Sequence, residues 1–403
     1  MTLRPGVHTV PTADRDGVPA LMRAITDAFE GMGPLLPLGP GRKQPAALAN
    51  WTPFGPRGWL AALPANAAAL IATSGSSGEP KIVALSADAL QASADATHAR
   101  LSGPGKWLLA LPPHHIAGLQ VVVRSVLAGT TPAIVPPGPF TPESFNAAAR
   151  PMISRDDPTY VSLVPTQLLR LLRDNDSCEI LSRFSAVLIG GAALPASIAE
   201  QARERGINLV HTYGMSETAG GCVYDGVALE GAQWKLASDG RILLAGPMLA
   251  QGYLGDPDLT AQTFQTAGGT RWFHTADHGR QVEGKLQVIG RIDDVIISGG
   301  INVAPTTVEE ILAAHPLVSD AVVVGVDDPE WGQRIVALVT AATPSAFTES
   351  AQNELQEQVA KRLGSAAVPK QIFVVCDIPT LGSGKTDRLA ARAVANSLCS
   401  PDS

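Results

Sequence analysis

Four short segments of this chain combine residue types that could handle a polyphosphate and the groups attached to it. The first, ATSGSSGEPK at 72–81, strings together Thr73, Ser74, Gly75, Ser76, Ser77 and Gly78 ahead of Lys81. Glycines let backbone N–H groups converge on an anion, hydroxyls add donors, and a lysine adds charge. It is not the G-x-x-x-x-G-K-[ST] loop, because Pro80 precedes the lysine and no hydroxyl follows it. The second, HTYGMSET at 211–218, offers Tyr213, Ser216 and Glu217: a ring that can stack on a base, a hydroxyl for a phosphate, and a carboxylate for Mg²⁺. In the third, spanning 272–305, Asp277 falls at a predicted strand end where it could accept from ribose hydroxyls, and Arg291 could add donors. The fourth, LGSGKTDR at 381–388, presents Lys385 on a glycine-flanked loop. Taken singly, each has an ordinary explanation in a Ser/Gly surface turn, a solvated turn over a buried tyrosine, or a hairpin ion pair.

The elements that must carry these segments are legible in the patterning. Residues 1 to about 68 are rich in Pro, Gly and Ala with weak periodicity, which predicts a few short helices and an irregular entry. From there to about 290, strand-like apolar runs alternate with helical ones. SAVLIGG reads as a buried strand, Pro195 suits the first turn of the helix that follows, Gly206 caps it, and INLVHTY returns as a strand. A strand–helix–strand unit of this length implies a parallel pair with a right-handed crossover. YVSLVPTQLLRLL repeats the strand-to-helix step with a proline at the join. After about 290, VIIS, AVVVGV, IVALV and QIFVV are short strand candidates. Helices are predicted at about 306–314, where Thr306 and Glu309 have capping-box spacing, and at about 349–363. That makes an α+β unit of about 110 residues, large enough to fold alone. The fold class is therefore α/β: a large domain over 1–290 with mixed and parallel sheets, and a small α+β domain over 291–403, with GRIDD at 290–294 as the hinge.

Composition bounds the rest. With 403 residues the chain can hold two or three domains. Its 45% hydrophobic and 17% charged residues suit a packed protein rather than a disordered one. Thirty Lys+Arg against 37 Asp+Glu leave a net charge of −7, no footprint for nucleic acid or an anionic membrane. No apolar run approaches the roughly 18 residues of a spanning helix, and the N-terminus lacks a secretory apolar core. Cys178, Cys222, Cys376 and Cys399 are scattered, without CxxC or metal-ligand spacing, and read as reduced thiols of a cytoplasmic protein.

Together the segments resemble the adenylate-forming superfamily of acyl- and aryl-CoA ligases, peptide-synthetase adenylation domains and firefly-type luciferases. Its patterns TSGTTGxPKG, YGxTE, TGD, GRxDD and SGKxxR find counterparts here in that order, over about residues 68–390. Ser76 and Ser77 replace two threonines, Ile82 a glycine, and Ala276 the glycine before Asp277. The region ahead of the phosphate loop is shorter than in most members, which implies that part of an N-terminal subdomain is missing. A narrower resemblance, to the o-succinylbenzoate–CoA ligase branch, rests on PPHHIAGLQVVVRSVLAG (112–129), SLVPTQLLRLL (162–172) and TYGMSETAGGCVYDGVAL (212–229).

The resemblance implies a two-step reaction using ATP, Mg²⁺ and coenzyme A: a carboxylate attacks the α-phosphorus to give an acyl-adenylate and pyrophosphate, then the CoA thiol expels AMP. It assigns Lys385 to bridging the carboxylate and α-phosphate, Glu217 to Mg²⁺, Ser216 to the α-phosphate, and the 73–81 loop to the β- and γ-phosphates. Tyr213 stacks on adenine within the run Thr212–Tyr213–Gly214–Met215, Gly191 and Ala192 border the base, and Asp277 with Arg291 holds the ribose. Rotation at Asp293 then withdraws Lys385 and brings Gly299 and Gly300 to the thioester tunnel. The acid pocket is expected from His115, Gly118, Gly220, Gly221 and Val223, with Arg124 meeting a second carboxylate and Cys222 as a wall spacer. The implied partners are small molecules, o-succinylbenzoate among them, with a homodimer as the assembly to test. Three rivals stay open: a ligase for a benzoate, cinnamate or fatty acid, an adenylation protein loading a carrier, and a non-catalytic nucleotide or acyl sensor.

Overall fold

The computed structural model describes residues 8–11, 17–39, 62–74, 80–153, 157–341, 347–381 and 386–399. Four sheets organise them. A seven-stranded sheet runs in the order 227–228, 220–224, 209–215, 186–189, 159–163, 106–109 and 133–134; it is parallel through its middle and antiparallel at the 220–224 end. Its central strands are buried on both faces, so their side chains alternate between two cores. Trp107, Tyr160 and Leu188 join one cluster, and Leu108, Val161, Val187 and Ile189 the other. The predicted parallel pair forms here, Val187 opposite Leu209 and Ile189 opposite His211. The connecting helix is Ala196–Glu204, with Pro195 at its cap rather than inside it and Gly206 left-handed at φ 73° beyond its end.

A second, five-stranded sheet holds Ala67–Ser74 and Pro80–Ser86 as an antiparallel pair, flanked by Leu35–Leu38 and Gly252–Tyr253. The N-terminal region is thus more regular than its patterning suggests: Gly17–Phe29 is a 13-residue helix, and His8–Pro11 and Leu35–Leu38 are sheet strands. Leu35–Leu38 is buried at all four positions, so it shows no alternation by which a strand could be recognised. A third, antiparallel sheet is built on the 13-residue strand Thr270–Val282.

The last sheet makes the small C-terminal unit from Ile296–Ser298, Ile301–Val303, Val318–Asp328, Gly332–Ala341 and Gln371–Val374, matching all four predicted strands. Helices Pro305–Ala313 and Glu349–Leu363 share the core of one face. Helix Arg388–Cys399 covers the other through Ala391 and Ala395. The capping box expected of Thr306 and Glu309 does not form. Thr306 Oγ1 donates to the Ile289 carbonyl, and Glu309 accepts from the Val323 N–H at 2.8 Å and from Arg388 at 2.7 Å. A charge-assisted pair outcompetes a local cap. No helix among the described residues is long and apolar enough to cross a membrane.

Candidate functional site

The site is assembled at the carboxyl ends of the parallel strands, where open α/β sheets place their ligand crevices. Strand Leu209–Met215 delivers Thr212, Tyr213, Gly214 and Met215, and a single 3₁₀ turn, Ser216–Thr218, presents Glu217. Gly214 is needed for close approach: a Cβ there would stand 2.1 Å from the Gly220 carbonyl oxygen on the paired strand. Just past the turn, Ala219 is forced left-handed at φ 47°, a strain of about 1 kcal/mol or more for a residue with a Cβ. Its carbonyl is held by Gln120 Nε2 at 2.7 Å and Ser93 Oγ at 2.9 Å. Two buried helices thereby fix the loop that carries Glu217. Gly191, left-handed at φ 85°, and Ala192 lie exposed beyond the neighbouring strand end.

Tertiary folding brings the expected base and ribose residues into contact. Tyr213 Oη donates to Asp277 Oδ2 at 2.8 Å, across 64 residues of chain. Burial first, and then the Asp277 charge, pushes the Tyr213 phenol well above its usual range, so it remains a donor. Asp277 does not end a strand as expected. It lies inside Thr270–Val282, opposite Arg291 and beside a bulge at His278/Gly279, with its N–H donated to buried Thr275 Oγ1 at 3.0 Å. Arg291 Nη2 donates to Asp293 Oδ2 at 2.8 Å; burial opposes its charge, but the Asp293, Asp277 and Asp294 carboxylates outweigh that and hold it more firmly protonated.

Of the residues expected to meet phosphates, Thr73 and Lys81 face each other across the antiparallel pair, with Thr73 Oγ1 3.4 Å from the Lys81 carbonyl oxygen. Ser74 closes the first strand, while Gly75, Ser76, Ser77, Gly78 and Lys385 lie outside the described residues. Lys81 Nζ sits 5.6 Å from the centre of the Tyr253 ring, and Tyr253 Oη donates to Glu217 Oε1 at 3.0 Å. Tyr253 is a residue the motifs missed. Its strand, Gly252–Tyr253, is two residues long and carries no periodicity that could have marked it. Ser216 is buried at the start of the 3₁₀ turn.

The acid-pocket residues divide into two groups. His115 caps helix Ile116–Leu127 with its ring 4.3 Å from that of His114, and Gly118 is required because a Cβ would strike the Pro112 carbonyl oxygen at 2.4 Å. Gly220, at φ 103°, packs near Gln120; a Cβ on Gly221 would meet the Tyr224 ring at 2.8 Å. Val223 is core. Burial pushes the Cys222 thiol up to about 12, which leaves it inert and consistent with a spacer.

Arg124 lies deeper. It is 3% exposed, with its guanidinium 4.8 Å from the centre of the Trp107 ring and hydrogen-bonded to Tyr224. Its buried Nε finds no hydrogen-bond partner among the described residues, nor does its head group join any of their ion pairs. Burial lowers its pKa, with Tyr224 opposing.

In the small unit, Gly299 and Gly300 form a two-residue exposed turn between Ile296–Ser298 and Ile301–Val303, left-handed at φ 58° and 77°. Glycine takes the positive φ of both positions at no steric cost. Asp293 is exposed just after strand Lys285–Arg291, and its neighbour Asp294 pairs with Arg388 Nε at 3.2 Å.

Comparison with known proteins places this arrangement in a group. The model for AMP-binding enzymes matches residues 49–254, and that for the AMP-binding enzyme C-terminal domain matches 307–385. The chain is 44% identical over 330 residues to a probable 2-succinylbenzoate–CoA ligase of Mycobacterium tuberculosis, covering 80% of this chain and 83% of that one. It is 33% identical over 337 residues to a 2-succinylbenzoate–CoA ligase of Listeria monocytogenes, covering 80% and 68%. A solved structure of a variant of E. coli MenE with bound OSB-AMS superposes with a TM-score of 0.75 at 26% identity, covering 98% of this chain and 89% of that one. With both halves of the family pattern matched in order over a shared fold, the chain belongs to the AMP-binding enzymes.

Proposed function

We propose that this enzyme joins 2-succinylbenzoate to coenzyme A through an acyl-adenylate, releasing pyrophosphate and then AMP. The observation that carries the choice of acid is Arg124, a buried guanidinium that no carboxylate among the described residues pairs and whose Nε is left without a partner there beside Trp107 and Tyr224. An ion taken out of water costs several kcal/mol unless it is compensated. A substrate with two carboxylates supplies the compensation: the aliphatic group reacts while the aromatic one settles against Arg124.

In the first half, a carboxylate oxygen forms a bond to the α-phosphorus as the bond to pyrophosphate breaks. Both partners are anionic, so catalysis consists of positioning and of donors aimed at developing charge. Tyr213 supports the adenine, and Asp277, held by the Tyr213 phenol and Thr275, accepts from the ribose with Arg291 beside it. The 73–81 loop with Lys81 takes the outer phosphates, Ser216 the α-phosphate, and Lys385 bridges the two reactants. Mg²⁺ travels with nucleotide phosphates and needs only one or two protein carboxylates. Glu217, a half-buried carboxylate on a fixed turn, fits that role; the ion would neutralise phosphate charge. In the second half the CoA thiol loses its proton, sulfur bonds to the acyl carbon, and the bond to AMP breaks. Residues 291–403 act as a lid turning at Asp293 and bringing the Gly299–Gly300 hairpin to the thiol path, and the setting is cytoplasmic.

Acid-dependent ATP–pyrophosphate exchange tests the reading. Exchange should be strongest with 2-succinylbenzoate, and Lys385→Ala should abolish it while sparing thioester formation from preformed adenylate. Equal or better exchange with benzoate, cinnamate or a fatty acid would overturn the choice of substrate, and no exchange with any acid would favour a sensor.

A further inference from the structure

We propose that Tyr253 is a positioning residue for the adenylation half-reaction, setting the Glu217 carboxylate and the Lys81 ammonium on either side of the phosphates through one side chain. The inference rests on the reading of Glu217 given above and extends it to a residue outside the five motifs quoted from the sequence, though within the family match over 49–254. Tyr253 is built to be immobile. Its N–H donates to Thr260 Oγ1 at 2.9 Å, its ring packs 6.0 Å from that of Phe264, and the preceding Gly252, at φ 151°, lets the chain pass so close that a Cβ would stand 2.4 Å from Thr260 Cγ2. Pairing of Tyr253 with Val83 then fixes the ring relative to the phosphate strand, two residues from Lys81.

From that platform the two ends of the side chain do different things. The face of the ring receives Lys81 Nζ at 5.6 Å, a cation–π distance. The hydroxyl donates to Glu217 Oε1 at 3.0 Å, holding one carboxylate oxygen of a residue whose backbone carbonyl is independently bound by the Ala250 N–H at 2.8 Å. A carboxylate that must meet a cation borne on a flexible triphosphate gains affinity from each contact that orients it, and removing the hydroxyl takes one such contact away.

Tyr253→Phe deletes the hydroxyl while keeping the ring on Phe264 and under Lys81. Calorimetric titration with ATP should show binding weakened about tenfold, or about 1.4 kcal/mol, in saturating Mg²⁺ and unchanged in excess EDTA. Pyrophosphate exchange should fall in step, while thioester formation from preformed adenylate should not move. In a double-mutant cycle, adding Tyr253→Phe to Glu217→Gln should cost nothing further. Wild-type Mg²⁺-dependent binding in Tyr253→Phe alongside an impaired Glu217→Gln would refute the proposal alone, as would multiplying losses or an equal loss in the thioester half. If Glu217→Gln leaves Mg²⁺-dependent binding intact, the role of Glu217 falls and takes the proposal with it.

Discussion

Replacing Arg124 by Met should separate binding from stability in a way that a structural arginine would not. The side chain is 3% exposed and stacks on Trp107 at 4.8 Å, so Met can occupy much of the same volume without the charge. Folding loses a cation–π contact of about 2 kcal/mol and a hydrogen bond to Tyr224 of about 1 kcal/mol. Against that stands the relief of a buried ion whose effective desolvation penalty is several kcal/mol. The two sides nearly cancel, and the unfolding midpoint should hold within about 2 °C or rise. Substrate binding has no such offset. A hydrogen-bonded contact to a charged group is worth about 1.5–3 kcal/mol, so the KM for 2-succinylbenzoate should rise about 10–150-fold. The KM for ATP should stay nearly constant. Exchange measured against acid concentration at saturating ATP, beside thermal unfolding of the same preparation, reads both quantities. A lowered midpoint with an unchanged acid KM, or equal losses for acid and ATP, would refute the reasoning.

Three further outcomes are expected. Cys222, near 9 when unfolded and about 12 when folded, keeps its proton in the native state after the unfolded chain has released it. Its contribution is therefore full below pH 9 and lost between 9 and 12 at about 1.4 kcal/mol per pH unit; Cys222→Ala should flatten that alkaline limb in denaturant titrations against pH. Gly214→Ala puts a Cβ 2.1 Å from the Gly220 carbonyl oxygen, so it should destabilise by about 1–3 kcal/mol and weaken ATP binding more than tenfold in the fraction that folds, read by calorimetry. Asp293→Pro, at an exposed residue beside the last strand before the small unit, should slow CoA-ester formation more than pyrophosphate release when the two are assayed separately; equal slowing would argue against a hinge there.

Much of this protein was written locally. The alternation of SAVLIGG, helix and INLVHTY predicted the parallel pair that places Tyr213 at a strand end, and the four apolar runs after 290 all became strands. Adjacent glycines at 299 and 300 fell where only a left-handed two-residue turn would serve. Such features follow from forces acting within a few residues: side-chain periodicity, proline's fixed φ, glycine's freedom. Where a local rule met a stronger distant partner it failed. Glu309 left the capping box for Arg388, 79 residues away.

What the amino-acid order determined alone was the set of elements and the ordered succession of the five family motifs. Tertiary packing decided which of their side chains touch: Tyr213 with Asp277, Glu217 with Tyr253, and Arg124 against Trp107 in the interior. Those contacts join different sheets or a helix to a strand. No local preference encodes the separation or the dielectric between such elements, because both are set by how the buried faces of the whole chain close on one another.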